Sequence, residues 1–441
     1  MEELNTDVLT QIFLNLQFIE RVRLEAVCQL WHYVLQRQSC FSDMRKLNVA
    51  DFLRNTTSDY YQQDSISFAP TAIGVVERCG RYVNSLSFGS RWFKVSQKIV
   101  DCVSVNCEQL CEIDLGAVIL NADITHLLEN VADNLQVLSL EETSWVNNDH
   151  ASKVPSIFKK LKRLHTLNIR SAMFSIENIC DLPTTLRKID ISHAHRFSEQ
   201  AMVEFLRGHP NLENISASPC PVMSQEIMDA LSNLRKLECL ELGFIDDRTL
   251  DMTPLAKLVQ LRTLRFQSVS CLNEHSLGVL LTALTQLSSL SIGKCDRVFD
   301  YTCLAFCERL QYLTIKDTMQ LSDEDIILLA TRCSLKYMCL SNCLNVTSEG
   351  ICYVLTHCQL QQLLLVNCPA ITDDVMNALV STQNTISVIS VQRCTGVTSS
   401  GVAALGWLRN VRALRQLDVS RNRQIDDNAV MSLHKALTLA R

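Results

Sequence analysis

The pattern L-x-x-L-x-L returns along nearly the whole chain, and it limits the possible folds more than any other feature. It stands as Val83-Leu86-Phe88, Leu110-Ile113-Leu115, Leu135-Leu138-Leu140, Leu164-Leu167-Ile169 and Leu186-Ile189-Ile191. It continues as Leu212-Ile215, Leu237-Leu240-Leu242, Leu261-Leu264-Phe266, Leu287-Leu290-Ile292 and Leu310-Leu313-Ile315. Leu335-Met338-Leu340, Leu360-Leu363-Leu365, Ile386-Ile389-Val391 and Leu414-Leu417-Val419 complete the series, and Met44-Leu47-Val49 fits it loosely. A period of about 25 residues marks a stacked-repeat architecture. Alternation within L-x-L puts two apolar residues on one face of a short strand. One strand cannot bury that face alone, whereas stacked parallel strands can, and each unit then returns as a helix on the far side.

The residues after the strands support such helices. Phe197-Ser198-Glu199, Leu321-Ser322-Asp323, Val346-Thr347-Ser348, Ile371-Thr372-Asp373 and Ile425-Asp426-Asp427 each place a capping side chain after an apolar residue, with polar or acidic groups following. These read as helix N-caps. Only 12 glycines and 8 prolines occur in 441 residues, too few for a turn-rich all-β fold or long flexible linkers. The net charge of −6 supplies no basic field, so nucleic acid is not expected as a partner.

The first residues, Met-Glu-Glu-Leu-Asn, lack a basic stretch followed by an apolar core, and no apolar run approaches the ~20 residues that span a bilayer. The expected location is cytoplasmic and/or nuclear, with no membrane partner. The 20 cysteines should then be reduced. Cys220, Cys295, Cys343, Cys368 and Cys394 share one slot after their strands, which Asn422 takes in the last repeat. Cys79, Cys107, Cys307, Cys333 and Cys358 lie just before the next strand. Both sets read as buried structural thiols, so no metal and no cofactor are expected. Phosphate-binding loops, nucleophile elbows and H-E-x-x-H are lacking in the sequence, and no catalytic residue is assigned.

Strand, Cys/Asn turn, capped helix and pre-strand Cys together resemble the cysteine-containing leucine-rich repeats, from about Val83 to Arg441. The resemblance implies a solenoid: a horseshoe with a concave parallel sheet and convex helices, of the α/β class.

The first forty residues differ. Val8, Leu9, Ile12, Phe13 and Leu16 recur at helical spacing, behind Asn5 or Thr6 as a cap. Ile19 to Leu35 offers a second apolar stretch with Val22, Val27 and Trp31. So much apolar surface in so few residues must face another surface, either the first repeat or a separate protein. The run Leu4-x-x-Asp7-Val8-Leu9-x-x-Ile12-Phe13-x-x-Leu16, then Arg21-Val22 and Val27-Cys28-x-x-Trp31, resembles the F-box. Asn5 stands where that motif has proline. The resemblance implies a small all-helical F-box at residues 1–42, ahead of repeats over 43–441 with a loop insertion near 54–66. It further implies a non-catalytic substrate receptor of an SCF (cullin–RING) ubiquitin ligase that marks substrates for proteasomal degradation. Leu4, Asp7, Val8, Leu9, Ile12, Phe13, Leu16, Val22, Val27 and Trp31 would dock the adaptor subunit, and through it a cullin. An alternative reading is a scaffold whose F-box-like helices only cap the solenoid.

Protein substrates would bind the concave positions that flank the buried leucines. The register places Arg170, Lys188, Arg265, Gln267, Tyr312, Lys316, Tyr337 and Gln392 there, together with Arg393 and Arg421. Tyr312 and Tyr337 hold equivalent slots in adjacent repeats and should lie side by side. Exposed aromatics among Arg and Lys are typical hot-spot material.

Overall fold

The computed structural model describes residues 5–37, 40–53, 69–89, 93–172, 179–193, 197–220 and 222–440. The insertion expected near 54–66 lies outside these residues. The chain divides into two compact units, Met1–His209 and Pro210–Arg441.

The N-terminal unit begins with three helices, α1 (Thr6–Leu14), α2 (Phe18–Leu24) and α3 (Gln29–Arg37). Its strands are β1 (Lys46–Asn48), β2 (Ser85–Ser87), β3 (Lys94–Ser96), β4 (Glu112–Asp114) and β5 (Ile119–Asn121), followed by β6 (Val137–Ser139), β7 (Ser144–Trp145), β8 (Thr166–Asn168) and β9 (Lys188–Asp190). One parallel sheet runs β1-β2-β4-β6-β8-β9, with Leu47, Leu86, Ile113, Leu138, Leu167 and Ile189 in register and buried. The loosely fitting first copy is thus a true member. A second parallel sheet, β3-β5-β7, was not foreseen from the repeat pattern. It buries Val95, Leu120 and Trp145, single apolar residues that no L-x-L alternation announces.

The C-terminal unit contains β10 (Asn214–Ala217), β11 (Cys239–Ile245), β12 (Thr263–Val269), β13 (Ser289–Gly293) and β14 (Tyr312–Thr318), then β15 (Tyr337–Cys343), β16 (Gln362–Val366), β17 (Val388–Gln392) and β18 (Gln416–Asp418). Each pairs in parallel with the next. The repeat leucines and isoleucines form the core: Leu240, Leu264, Leu290, Leu313, Met338, Leu363 and Ile389 are at most 1% exposed.

Helices return where the caps indicate. Ser198, Ser322, Thr347 and Thr372 each accept a backbone N–H from their own first turn. The caps also tie neighbouring repeats together. Asp323 accepts from the backbone N–H of Thr347 at 2.8 Å and from its hydroxyl at 2.5 Å. Asp373 does the same for Thr398, at 2.8 and 2.6 Å. Gly350 and Gly401 lie directly against those carboxylates, where a Cβ has no room.

The expectation of a helix in every return needs correction. Thr253–Lys257 and Thr302–Phe306 are 3₁₀ segments, Ile179–Asp181 is another among the described residues of its return, and Val154–Lys160 is a 3₁₀ continuation of the helix Asn148–Lys153. Pro155 and Pro254 open two of them. In the short repeat from Leu287 to Leu310 there is too little chain for a longer helix, and a 3₁₀ turn covers more distance per residue.

Strand ends share one backbone device. Phe244, Ser268, Lys294, Asp317, Asn342, Asn367, Arg393 and Arg421 all have φ between 49° and 62°. This left-handed residue turns the chain out of the strand, and Asn or Asp occupies it with least strain. Asp317, Asn342 and Asn367 join in a ladder across three repeats: Asn342 donates to Asp317, and Asn367 donates to Asn342 at 2.7 Å. Arg393 and Arg421, expected on the strand face, occupy this turn seat instead, because β17 and β18 end before them.

Candidate functional site

Asn5 caps α1, accepting the Asp7 backbone N–H at 3.1 Å, so it supplies the helix start that proline gives in the related motif. The single stripe expected along α1 is divided between two environments. Leu9 and Phe13 are 1% exposed, and the Phe13 ring meets Trp31 edge-on at 5.3 Å. Val8 and Ile12, one turn apart, are 45% and 46% exposed, and Val27 is 57% exposed. Leu9 and Phe13, expected at the adaptor surface, are instead buried in the core of the helices. Leu16, Val22 and Trp31 are half-buried, Asp7 is exposed, and Leu4 lies outside the described residues.

Arg21 holds this region together, although its place in the motif gave no hint of the role. Its guanidinium is buried and donates to the carbonyls of Leu14 (3.0 Å), Leu16 (2.8 Å) and Cys40 (2.7 Å). It also forms a bidentate pair with Asp43, whose carboxyl it holds below the usual carboxylate range. Arg78, on the helix Ala69–Cys79 that leads to β2, makes a second fork with Glu25 at 2.8 Å for both bonds. Phe18 packs against Phe41 and Phe52, with ring centroids 5.2 and 4.6 Å away. The N-terminal helices are therefore fixed to the first repeats by charge-assisted bonds and aromatic contact.

In the C-terminal unit, the open face of the sheet carries three rows of side chains. Thr263, Ser289, Tyr312 and Tyr337 form one row, and Arg265, Ser291, Thr314 and Cys339 the next. Gln267, Gly293, Lys316 and Ser341 form the third, which Val366 and Gln392 extend. The register thus brings Arg265, Gln267, Tyr312, Lys316 and Tyr337 together over four strands. Gln392 stands three strands beyond Lys316 and donates to Asp418. Arg170 and Lys188 belong to the N-terminal unit, where Arg170 lies 3.8 Å from Glu141.

Tyr312 and Tyr337 are register partners with ring centroids 6.3 Å apart at 36°. Burial pushes the Tyr337 hydroxyl above its ordinary value, while Thr314 and the charge of Arg265 oppose that shift. Tyr312 is 44% exposed. Arg265 pairs loosely with Glu241 at 3.6 Å. Between these groups, β13 presents only Ser289, Ser291 and Gly293, a low strip walled by Arg265 on one side and by Tyr312 and Lys316 on the other. Small residues between large ones were the signal in the sequence for this strip, once the register was known.

The cysteines carry the fold. All 20 are free thiols. Cys343, Cys368 and Cys394 reach back to the carbonyls of Ile315, Leu340 and Leu365 in the preceding repeat, at 3.5, 3.8 and 3.4 Å. Asn422 does likewise to Val391 at 2.6 Å. Burial pushes Cys343 and Cys394 up to about 12 and Cys295 to about 11, so they are protonated at neutral pH. Among the described residues, no group of three His, Cys, Asp or Glu is placed to hold a metal ion.

Comparison with known proteins adds the family context. The F-box domain family matches residues 1–43. A probable disease resistance protein of Arabidopsis thaliana is 26% identical over 231 residues, 49% of this chain. The match spans only 28% of that relative's length. Among solved structures, one similar chain is from the Rad7–Elc1 complex of yeast, at TM-score 0.50 and 18% identity, covering 66% of this chain and 75% of that one. A leucine-rich-repeat protein of Leptospira interrogans is similar over 84% of this chain and 96% of its own, at TM-score 0.41 and 15% identity. Residues 1–43 thus match the F-box domain, and the later strands and returns stack as a leucine-rich-repeat fold.

Proposed function

We propose that this chain is the substrate-recognition subunit of an SCF (cullin–RING) ubiquitin ligase. The F-box docks the adaptor subunit, and through it a cullin, while the open face of the repeats holds a protein substrate for ubiquitination and proteasomal degradation. The chain itself breaks and makes no bond and uses no cofactor. It raises the effective concentration of substrate near the ubiquitin-charged enzyme, so that transfer becomes quasi-intramolecular. Work of this kind belongs in the cytoplasm and/or the nucleus.

The observation that carries the reading is the two-faced α1. Its inner face is occupied by Phe13 and Leu9, while Val8 and Ile12 leave an apolar step in solvent. Adaptor docking gives that step a partner. The Arg78–Glu25 pair keeps the F-box fixed to the first repeats.

The scaffold reading, in which the helices merely close the end of the repeats, has the Arg78–Glu25 pair in its favour. Adaptor capture separates the two. Val8→Asp/Ile12→Asp changes only solvent-facing positions, so the protein stays folded. Co-precipitation of adaptor and cullin with the unaltered chain, and their loss with this variant, supports the receptor. Capture of neither by the unaltered chain, or equal capture by both, leaves the scaffold.

A further inference from the structure

We propose that a groove at the edge of the C-terminal unit, beside Arg309 and Arg332, is a docking site for an acidic segment of a partner polypeptide. The proposal stands apart from the F-box and from the open face of the sheet.

The groove has a structural cause. The 3₁₀ return Thr302–Phe306 has 5 residues and lies between helices of 10 (Glu274–Ala283) and 8 (Asp323–Ala330). The short return leaves a notch between its neighbours. Two adjoining hollows of about 480 and 350 Å³ open there, and both are lined by Gln286, Glu308, Arg309 and Arg332. Phe306, the last residue of the short return, lines the larger hollow and is 56% exposed.

Its charge differs from that of the whole chain, which is net −6. Arg309 donates to the neutral amide of Gln286 at 2.5 Å, and among the described residues neither Arg332 nor Lys336 has a carboxylate partner. Arg262, on the far wall, is occupied at 3.9 Å by Glu238. Glu308 is the acid that lines the groove, so Arg309, Arg332 and Lys336 leave a positive surplus. Guanidinium groups present planar forks that match carboxylates, and an exposed aromatic beside them adds apolar contact. These cations do not converge on one point. They are spread over successive repeats, whose strands stand about 4.8 Å apart. A strip of this kind suits an extended chain bearing several carboxylates with an apolar residue among them.

The test uses the full chain and a fluorescein-labelled hexaglutamate–leucine peptide, with hexaglutamine–leucine as the uncharged control, read by fluorescence anisotropy. The glutamate peptide should bind in a salt-sensitive manner and the glutamine peptide should not. Arg309→Glu/Arg332→Glu should weaken binding at least about tenfold. Phe306→Ala should weaken it less, and Tyr312→Ala should leave it unchanged. Lys159→Glu/Lys160→Glu alters a basic cluster whose lysines already pair with Asp181 and Glu129, and it too should leave binding unchanged. If charge reversal lowers the melting temperature, Arg309→Gln/Arg332→Gln replaces it. The proposal is overturned if the glutamate peptide does not bind, or if the groove variants bind as tightly as the unaltered chain. Equal loss with the Lys159/Lys160 variant overturns it as well. So does an oligothymidylate of equal charge that binds this groove as tightly, since recognition would then be of charge alone.

Discussion

Arg21 and Asp43, 22 residues apart in sequence, face each other fork to fork, with Nη1–Oδ1 at 2.6 Å and Nη2–Oδ2 at 2.7 Å. The guanidinium is buried, whereas the Asp43 side chain is 47% exposed. Removing the cation strands three backbone carbonyls, and removing the acid does not. Arg21→Ala should therefore destabilise the N-terminal unit by about 3 kcal/mol or more, and Asp43→Asn by about 1 kcal/mol. Chemical denaturation followed through far-UV circular dichroism checks the order. The folded carboxyl titrates below its ordinary value of 3.8, so the pair's stabilisation is complete above that value and is lost as pH falls through the lower folded one. Asp43→Asn should flatten that acid limb.

Tyr312→Ala/Tyr337→Ala should lose substrate while retaining adaptor and melting temperature. Each truncation should cost about 1–3 kcal/mol of binding if the pair forms the anchor. Substrates trapped by proximity labelling with the unaltered chain provide the readout, and unchanged trapping would place the binding face elsewhere.

The thiols of Cys343 and Cys394, held near about 12 by burial, should react slowly with maleimide in the native protein and rapidly in denaturant. The exposed Cys28 should react rapidly in both states. Mass spectrometry of labelled peptides measures both effects.

Phe244 occupies the left-handed turn seat at φ 56° with 53% of its surface exposed. A bulky residue is poorly suited to that backbone, while asparagine tolerates it. Phe244→Asn should raise the stability of the C-terminal unit by about 1 kcal/mol, seen as a higher midpoint in urea at unchanged slope.

The repeat strands, their register and the turn thiols were legible because each copy repeats the same demand: two apolar residues on one face and a small group in the following slot. Tyr312 and Tyr337 could be paired for the same reason. The two faces of α1 could not be separated, since Leu9 and Ile12 look alike to a helical period and only the position of α3, with Trp31 against Phe13, decides which is covered. The 3₁₀ returns escaped because they depend on how much chain remains between fixed strands. Arg21 escaped because its partners are backbone carbonyls and an acid brought near by the fold. The sheet β3-β5-β7 rests on one buried residue per strand, Val95, Leu120 and Trp145, which recur at the repeat period but show no alternation within the strand.

Every turn thiol from Cys343 onward takes its acceptor from the repeat behind it, and Asn422 does the same in the last. A structure fastened in this way is a row of links, each holding only its neighbour. Cutting one, as at Cys368, does not soften the whole row evenly. It parts the row into blocks that melt on their own schedules, so the tyrosine face and the Gln392 end can survive or fail separately. The stability of any surface on a row so parted is then a property of its own few links.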